Sequence, residues 1–248
     1  MSIIPASDAW PVRLPSDALQ IWATTAGTPT PGRQAKHDLA DQVNRLINAT
    51  VMLDIGDLDD TDVTGLRQLI ASTQAIVDDL RAMPALAHSQ AAAGGDDARL
   101  LERSGITGRS NPLAAPLHLA VDGDRVRGWA EYAAQYEGPP GCLHGGFIAA
   151  AFDDLLGVAQ MLSGSAGFTG TLTVAMRRPT PLARRIDYEA GVRGTEGRKI
   201  LVWGTASCNG EVLAEAEGTF ITPSAERAEA IHADLAAQGA NPPEPEAR

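Results

Sequence analysis

The segment from Gly141 to Gly157 constrains the fold more than any other part of the chain. It reads GCLHGGFIAAAFDDLLG, in which a histidine and two glycines lead into an almost wholly apolar stretch of helical length. A helix that is apolar on nearly every side has to be covered on nearly every side. Segments with strand-like alternation precede and follow it, so we expect a curved antiparallel sheet wrapped around one long helix, an α+β architecture.

The remaining chain divides by pattern. In the first 90 residues, apolar side chains recur at helical spacing in two segments, and Pro84 ends the second segment. Asp122-Gly123 and Asn209-Gly210 are typical hairpin dipeptides in the second half. We therefore predict an α-helical N-terminal extension over residues 1–90, a linker over 91–110, the sheet-and-helix domain over 111–223 and a C-terminal tail over 224–248.

Composition argues against several classes of function. The 248 residues carry a formal net charge of −11, which disfavours binding to nucleic acid or an anionic membrane through the general field. No apolar run approaches the roughly 20 residues of a membrane span, and the first residues lack a signal-peptide pattern. Two cysteines, Cys142 and Cys208, do not suggest a disulfide scaffold. A cytoplasmic protein without a metal or other cofactor is expected.

The start of the apolar helix has groups suited to carbonyl chemistry. Gly145 and Gly146 lie where backbone N–H groups lack helical partners, and no side chain would keep a ligand oxygen away. Such N–H groups stabilise the oxyanion of acyl transfer. Two turns later, Asp153 shares a helix face with small residues such as Ala149, whereas Asp154 belongs to the neighbouring face. Asp153 is therefore the candidate catalytic carboxylate, and Asp154 a structural one.

Other interpretations of these residues stay open on the sequence alone. The His-Gly-Gly run also fits a tight turn with a helix cap, and a buried aspartate also fits a structural hydrogen-bond acceptor. Cys142 and His144 are spaced to pair as nucleophile and base, although no neighbouring group would orient them.

Three segments in order resemble the hotdog-fold acyl-CoA thioesterases, the group that contains phenylacetyl-CoA thioesterase and the vertebrate thioesterase-superfamily members. These segments are GPPGCLHGGFIAAAFDDLLG, TGTLTVAMRRPTPL and GRKILVWGTASCNGEVLAEAEGTFI. The resemblance covers about residues 111–223. It implies a hotdog fold whose protomers pair their sheets, as a homodimer or a dimer of dimers, with active sites at the dimer interface.

The resemblance also implies roles for individual residues. Asp153, nine positions after the histidine, would act as general base or as nucleophile on the thioester. The Gly146 N–H would hold the thioester oxygen, with Gly145 beside the substrate, and His144 would position the carbonyl or brace the turn. Thr169 matches a hydroxyl residue that the partner protomer contributes to orient water. The candidates for binding the phosphates and adenine end of CoA are Arg177, Arg178, Arg198 and Lys199.

The sequence therefore predicts an acyl-CoA thioesterase, in which CoA is present only as part of the substrate. One position departs from the pattern, because several relatives have an asparagine or glutamine where this chain has Gly138. A non-catalytic acyl-CoA-binding or sensing hotdog protein is the alternative. A hotdog hydratase fits less well, because the histidine usual five residues after the aspartate is Val158 here.

Overall fold

The computed structural model describes residues 29–84, 104–115, 117–224, 226–227 and 229–230. Among these residues, two long helices precede the first strand, and a third lies between the second and third strands. The helices are α1 (Pro31–Val51), α2 (Asp60–Arg81) and α3 (Gly145–Ala159). The strands are β1 (His118–Asp122), β2 (Arg125–Glu131), β3 (Phe168–Met176), β4 (Arg185–Glu196), β5 (Lys199–Cys208) and β6 (Glu211–Ile221).

The six strands form one antiparallel sheet in the order β1-β2-β4-β5-β6-β3, so β1 and β3 are its edges. Both predicted hairpins are present. Gly123, Asn209 and Gly210 have positive φ angles, as two-residue hairpin turns of this kind require. This sheet and the helix packed on it confirm the predicted α+β hotdog architecture.

Helix α3 lies in the curve of the sheet because its apolar side chains have no other cover. Its buried residues are Ile148, Ala151, Phe152, Leu155, Leu156, Val158 and Ala159. Small residues on the sheet let the helix come close: a Cβ added at Gly204 or Gly218 would lie 3.0 Å from a methyl of Leu156. The distance between α3 and the sheet is thus set by large helix side chains that pack directly over sheet glycines.

The apolar helix is longer than the sequence pattern indicated. A 3₁₀ turn, Gln160–Ser163, continues α3, and the stretch Gly145–Ser163 is long and apolar enough by length and composition to cross a membrane. The statement that no apolar run approaches this length was therefore wrong. Half of the stretch is buried inside the fold, which is the position of a core helix.

The two helices of the N-terminal extension confirm the helical pattern there. Helix α1 contacts the rest of the chain through Asn44, whose side-chain amide donates to Pro112 O (2.8 Å) and to the Tyr136 hydroxyl (3.1 Å). Helix α2 buries no side chain. The domain boundaries stay predictions, since most of the predicted linker and tail lies outside the described residues.

Candidate functional site

The His-Gly-Gly turn forms the N-terminus of α3, and His144 is its cap. The Gly146 N–H donates to His144 Nδ1 at 2.9 Å. The His144 N–H in turn donates to Tyr136 O at 2.9 Å, which ties the turn to a preceding 3₁₀ helix, Ala134–Tyr136. Because Nδ1 already accepts this hydrogen bond, that nitrogen is not free to act as a base toward Cys142. The turn-and-cap interpretation describes the histidine side chain correctly.

The two glycines differ in what their N–H groups do. Gly146 N–H is bonded to the cap, whereas Gly145 N–H has no partner in the described part of the chain. A Cβ added at Gly145 would lie 2.8 Å from Met176 Cε, so this side of the turn is closely covered by the end of β3. Gly145 is therefore the free donor at the positive end of the helix dipole.

Gly138 has a packing reason for lacking a side chain. A Cβ at this position would lie 2.8 Å from the Cα of His144, a backbone atom that cannot move aside without displacing the cap. An amide side chain like that of the relatives therefore does not fit this turn as it is folded.

Asp153 and Thr169 meet on the open side of α3. Both residues are exposed, and the Thr169 hydroxyl donates to Asp153 Oδ1 at 2.9 Å. The resemblance implied that the partner protomer supplies this hydroxyl, but the structure brings the two groups together within one chain.

A β-bulge explains why Thr169 reaches the helix. Thr169 pairs with Phe220, which is buried on the helix side, while Thr171 pairs with Thr219 on the outer side. The extra residue, Gly170, shifts the register between them. Without this shift, strict alternation would place Thr169 on the outer face together with Thr171. The lone glycine in the strand pattern was the sequence signal for this bulge, and it was missed.

Asp154 is partly buried on the other side of α3, where it holds a loop. Its Oδ2 accepts from Ser104 Oγ (2.8 Å) and from Thr107 Oγ1 (2.9 Å). Ser104 Oγ also accepts the N–H groups of Ile106 and Thr107. Burial raises the pKa of Asp154 above its usual value, although the two hydroxyl donors oppose the shift. This residue is a structural anchor for the segment before β1.

The four basic candidates fall into two pairs at opposite ends of β3. Arg177 and Arg178 follow its last residue and form ion pairs with Glu215 (2.7 Å) and Glu211 (2.8 Å). Arg198 and Lys199 lie at the β4–β5 turn. The β5–β6–β3 register aligns Lys199 with Ile221 and Ile221 with Phe168, at the Thr169 end. The two pairs are separated by roughly 25 Å along the strand.

The two candidate catalytic groups are also far apart. Gly145 and Asp153 are eight residues apart on one helix, which is roughly 12 Å along its axis. Among the described residues, no group of three or more His, Cys, Asp or Glu side chains is placed to hold a metal ion.

Comparison with known proteins agrees with this architecture. No family model matches the chain. Over 64 residues the chain is 38% identical to acyl-coenzyme A thioesterase THEM4 of Xenopus laevis, a match that spans 26% of this chain and 29% of the relative. The crystal structure of the thioesterase superfamily protein RHA08564 is 29% identical and covers 75% of this chain and 94% of its own, with a TM-score of 0.64.

The predicted linker, domain and tail together, residues 91–248, are less than two thirds of the chain, whereas the match to that solved structure covers 75%. The match therefore includes part of the N-terminal helical region. The sheet packed on a long core helix is a hotdog architecture, and the chain is similar in sequence and fold to these two thioesterase relatives.

Proposed function

We propose that the protein hydrolyses an acyl-CoA thioester to a free acid and CoA. The observation that carries this proposal is the exposed Asp153 carboxylate, which the Thr169 hydroxyl orients at 2.9 Å on the open side of the core helix. Similarity to an acyl-coenzyme A thioesterase and to a thioesterase superfamily protein supports the reaction class.

The geometry favours a site shared between two copies of the chain. A thioester carbon has to lie about 3 Å from its nucleophile while its oxygen contacts the oxyanion donor. Gly145 and Asp153 of one helix are roughly 12 Å apart, so they cannot both act on one carbonyl. In a two-fold dimer, Gly145 of one copy can meet Asp153 of the other. We therefore include a homodimer in the proposal, with the exposed side of α3 at the interface.

The same pairing would bring the basic residues together. Met176 contacts the Gly145 turn, so Arg177 and Arg178 lie near the oxyanion end of one copy. Arg198 and Lys199 lie at the Asp153 end of the other copy. All four would then flank one site, where positive charge would favour binding of the CoA phosphates.

Each group has a defined task in the proposed reaction. Gly145 N–H stabilises the oxyanion, a role first predicted for Gly146, whose N–H is bonded to His144 here. Asp153 takes a proton from water as the water oxygen bonds to the thioester carbon. The C–S bond then breaks, and the CoA thiolate leaves and is protonated. Direct attack by Asp153, followed by hydrolysis of the anhydride, is the other route open to this carboxylate.

Thiol release from a panel of short, long and aromatic acyl-CoA esters tests the proposal. Asp153→Asn keeps the shape but cannot accept the proton or attack, so we expect kcat to fall about a hundred- to ten-thousand-fold. Asp124→Asn is the matched control, because Asp124 is 89% exposed on the β1–β2 turn. Undiminished hydrolysis in both Asp153→Asn and Asp153→Ala would remove Asp153 from the mechanism.

Gly138 supports a second candidate, a non-catalytic acyl-CoA-binding or sensing protein. Its contact with the His144 backbone leaves no room for the side-chain amide found in relatives. Tight binding of acyl-CoA by the wild-type protein without thiol release across the panel would favour this candidate over hydrolysis.

A further inference from the structure

Helix α2 is capped at its N-terminus, but the described part of the chain does not bury its apolar side chains. Asp59 caps it by accepting the N–H groups of Thr61 and Asp62, and the Asp62 side chain accepts the Asp59 N–H in return. However, no residue of the helix is buried. Leu69 and Ile70 each remain 65% exposed, which is unusual for neighbouring large apolar residues.

The apolar residues of α2 follow a heptad pattern over three repeats, and Val63, Leu66 and Val77 among them are half-buried. One heptad position, a, is held by Val63, Ile70 and Val77. The second, d, is held by Leu66, Thr73 and Leu80. Position g adds Leu69 and Ile76 beside them. An apolar stripe over positions a, d and g is typical of a helix that packs against another helix.

We propose that α2 pairs antiparallel with α2 of a second copy of this chain. In antiparallel pairing, residues at position a contact residues at position d of the other helix. Leu66 then packs against the second copy's Val77, and Ile70 packs against the second copy's Thr73. The two-fold axis passes between Ala71 and Ser72. Leu69 lies beside the second copy's Ile76, so the g positions extend the apolar contact.

Charge complementarity selects this partner and this orientation. The e positions next to the stripe are Asp60, Arg67, Gln74 and Arg81. The register given by Leu66 and Val77 places Asp60 beside the second copy's Arg81, and the two-fold repeats this ion pair at the other end. Neither side chain has a hydrogen bond or ion pair in the described part of a single chain. A parallel pair would leave Asp60 and Arg81 three heptads apart.

Spin-label distances in the full-length protein test the pairing without using activity. Cys142 and Cys208 are replaced by serine, and one cysteine is placed at Gln68, Ala75 or Ala82, all on the outer side of α2. Residues 68 and 75 are equally far from the two-fold axis. The distance between two labels at residue 68 should therefore equal that between two labels at residue 75, and both should be short, with an axial offset of roughly 10 Å. Labels at residue 82 should be further apart, with an axial offset of roughly 32 Å. Equal distances at all three sites, or no dipolar coupling, would overturn the proposal.

Charge reversal tests the register. Arg81→Asp and Asp60→Arg should each speed amide hydrogen exchange in α2 about five- to tenfold, because each change opposes like charges at both ends of the pair. Asp60→Arg combined with Arg81→Asp should restore the wild-type rate. The double variant has the wrong charge at both ends of the helix dipole, so an isolated α2 would be weakened further. Faster exchange in the double variant than in either single variant would contradict the pairing. Arg67→Asp, opposite Gln74, is the control and should have a small effect.

Discussion

Asp153 and Asp154 are neighbours in sequence with different surroundings, because consecutive helix residues point about 100° apart. Asp153 is exposed beside the Thr169 hydroxyl, whereas Asp154 is partly buried against Ser104 and Thr107. The low dielectric around Asp154 penalises its charged form, and the pKa of its carboxyl rises. A carboxylate that anchors a loop and one that is exposed to solvent thus occupy adjacent positions.

The raised pKa of Asp154 predicts a pH-dependent stability. A carboxyl whose pKa is higher in the folded than in the unfolded chain stabilises the fold below the unfolded value, 3.8, and this contribution is lost as pH rises through the folded value. Asp154→Asn abolishes the titration and keeps an oxygen that accepts from Ser104 and Thr107. The difference in unfolding free energy between the asparagine variant and wild type should therefore shift in favour of the variant as pH rises from 4 to 7.

Urea unfolding at the two pH values measures this difference. Asp154→Ala is the comparison variant, because it leaves both hydroxyls without their acceptor and should cost about 1–3 kcal/mol. An asparagine variant that loses stability relative to wild type between pH 4 and pH 7 would contradict the assignment.

At the scale of the element, strand β3 positions the candidate site through one irregularity. Gly170 introduces the bulge that turns Thr169 toward α3, and the bulge is packed tightly. A Cβ at Gly170 would lie 2.9 Å from Ile221 Cγ1 and 3.3 Å from Thr219 O. Position 170 therefore controls a hydroxyl that belongs to its neighbour.

Gly170→Val should consequently act on the reaction through Thr169. The branched side chain cannot fit against Ile221, so the bulge shifts and the hydroxyl leaves Asp153. We expect a kcat reduction of about tenfold, like that of Thr169→Ala, which corresponds to one hydrogen bond. Combining the two changes should cost no more than the larger single effect, because both remove the same contact. Additive losses in kcat would show that Gly170 acts independently, and Thr169→Ser is the control that retains the hydroxyl.

At the scale of the whole molecule, the length of α3 is the reason the proposed site needs two chains. Its N-terminal donor and its carboxylate lie roughly 12 Å apart, which a single carbonyl cannot bridge. The extension adds a second self-complementary surface on α2, so the proposed assembly rests on two separate features of the chain.

Complementation between inactive variants measures whether the site is shared. Gly145→Pro removes the N–H donor at the first helical position, where proline is tolerated, and His144 already has the extended ψ of 134° that proline requires. Gly145→Ala, which keeps the N–H and adds the same Met176 contact, is its control. Gly145→Pro and Asp153→Asn should each be nearly inactive.

When the two variants are unfolded together and refolded in equal amounts, half of the dimers are mixed. Each mixed dimer has one intact shared site, so about a quarter of the wild-type activity should return. No recovery, with mixed dimers verified by mass, would mean that both groups act within one chain.

Local patterns in the sequence determined the elements of this protein: the apolar helix, the alternating strands, the two hairpins and the helices of the extension. Periodicity and turn residues report such elements because each depends on neighbours a few positions away. The tertiary structure alone decided which glycine N–H is free, why Gly138 has no side chain, and that the basic residues lie at opposite ends of β3. It also placed Thr169 at Asp153. These features depend on strand register and on contacts between distant segments, and a one-residue shift at Gly170 is enough to reverse the side on which a hydroxyl lies.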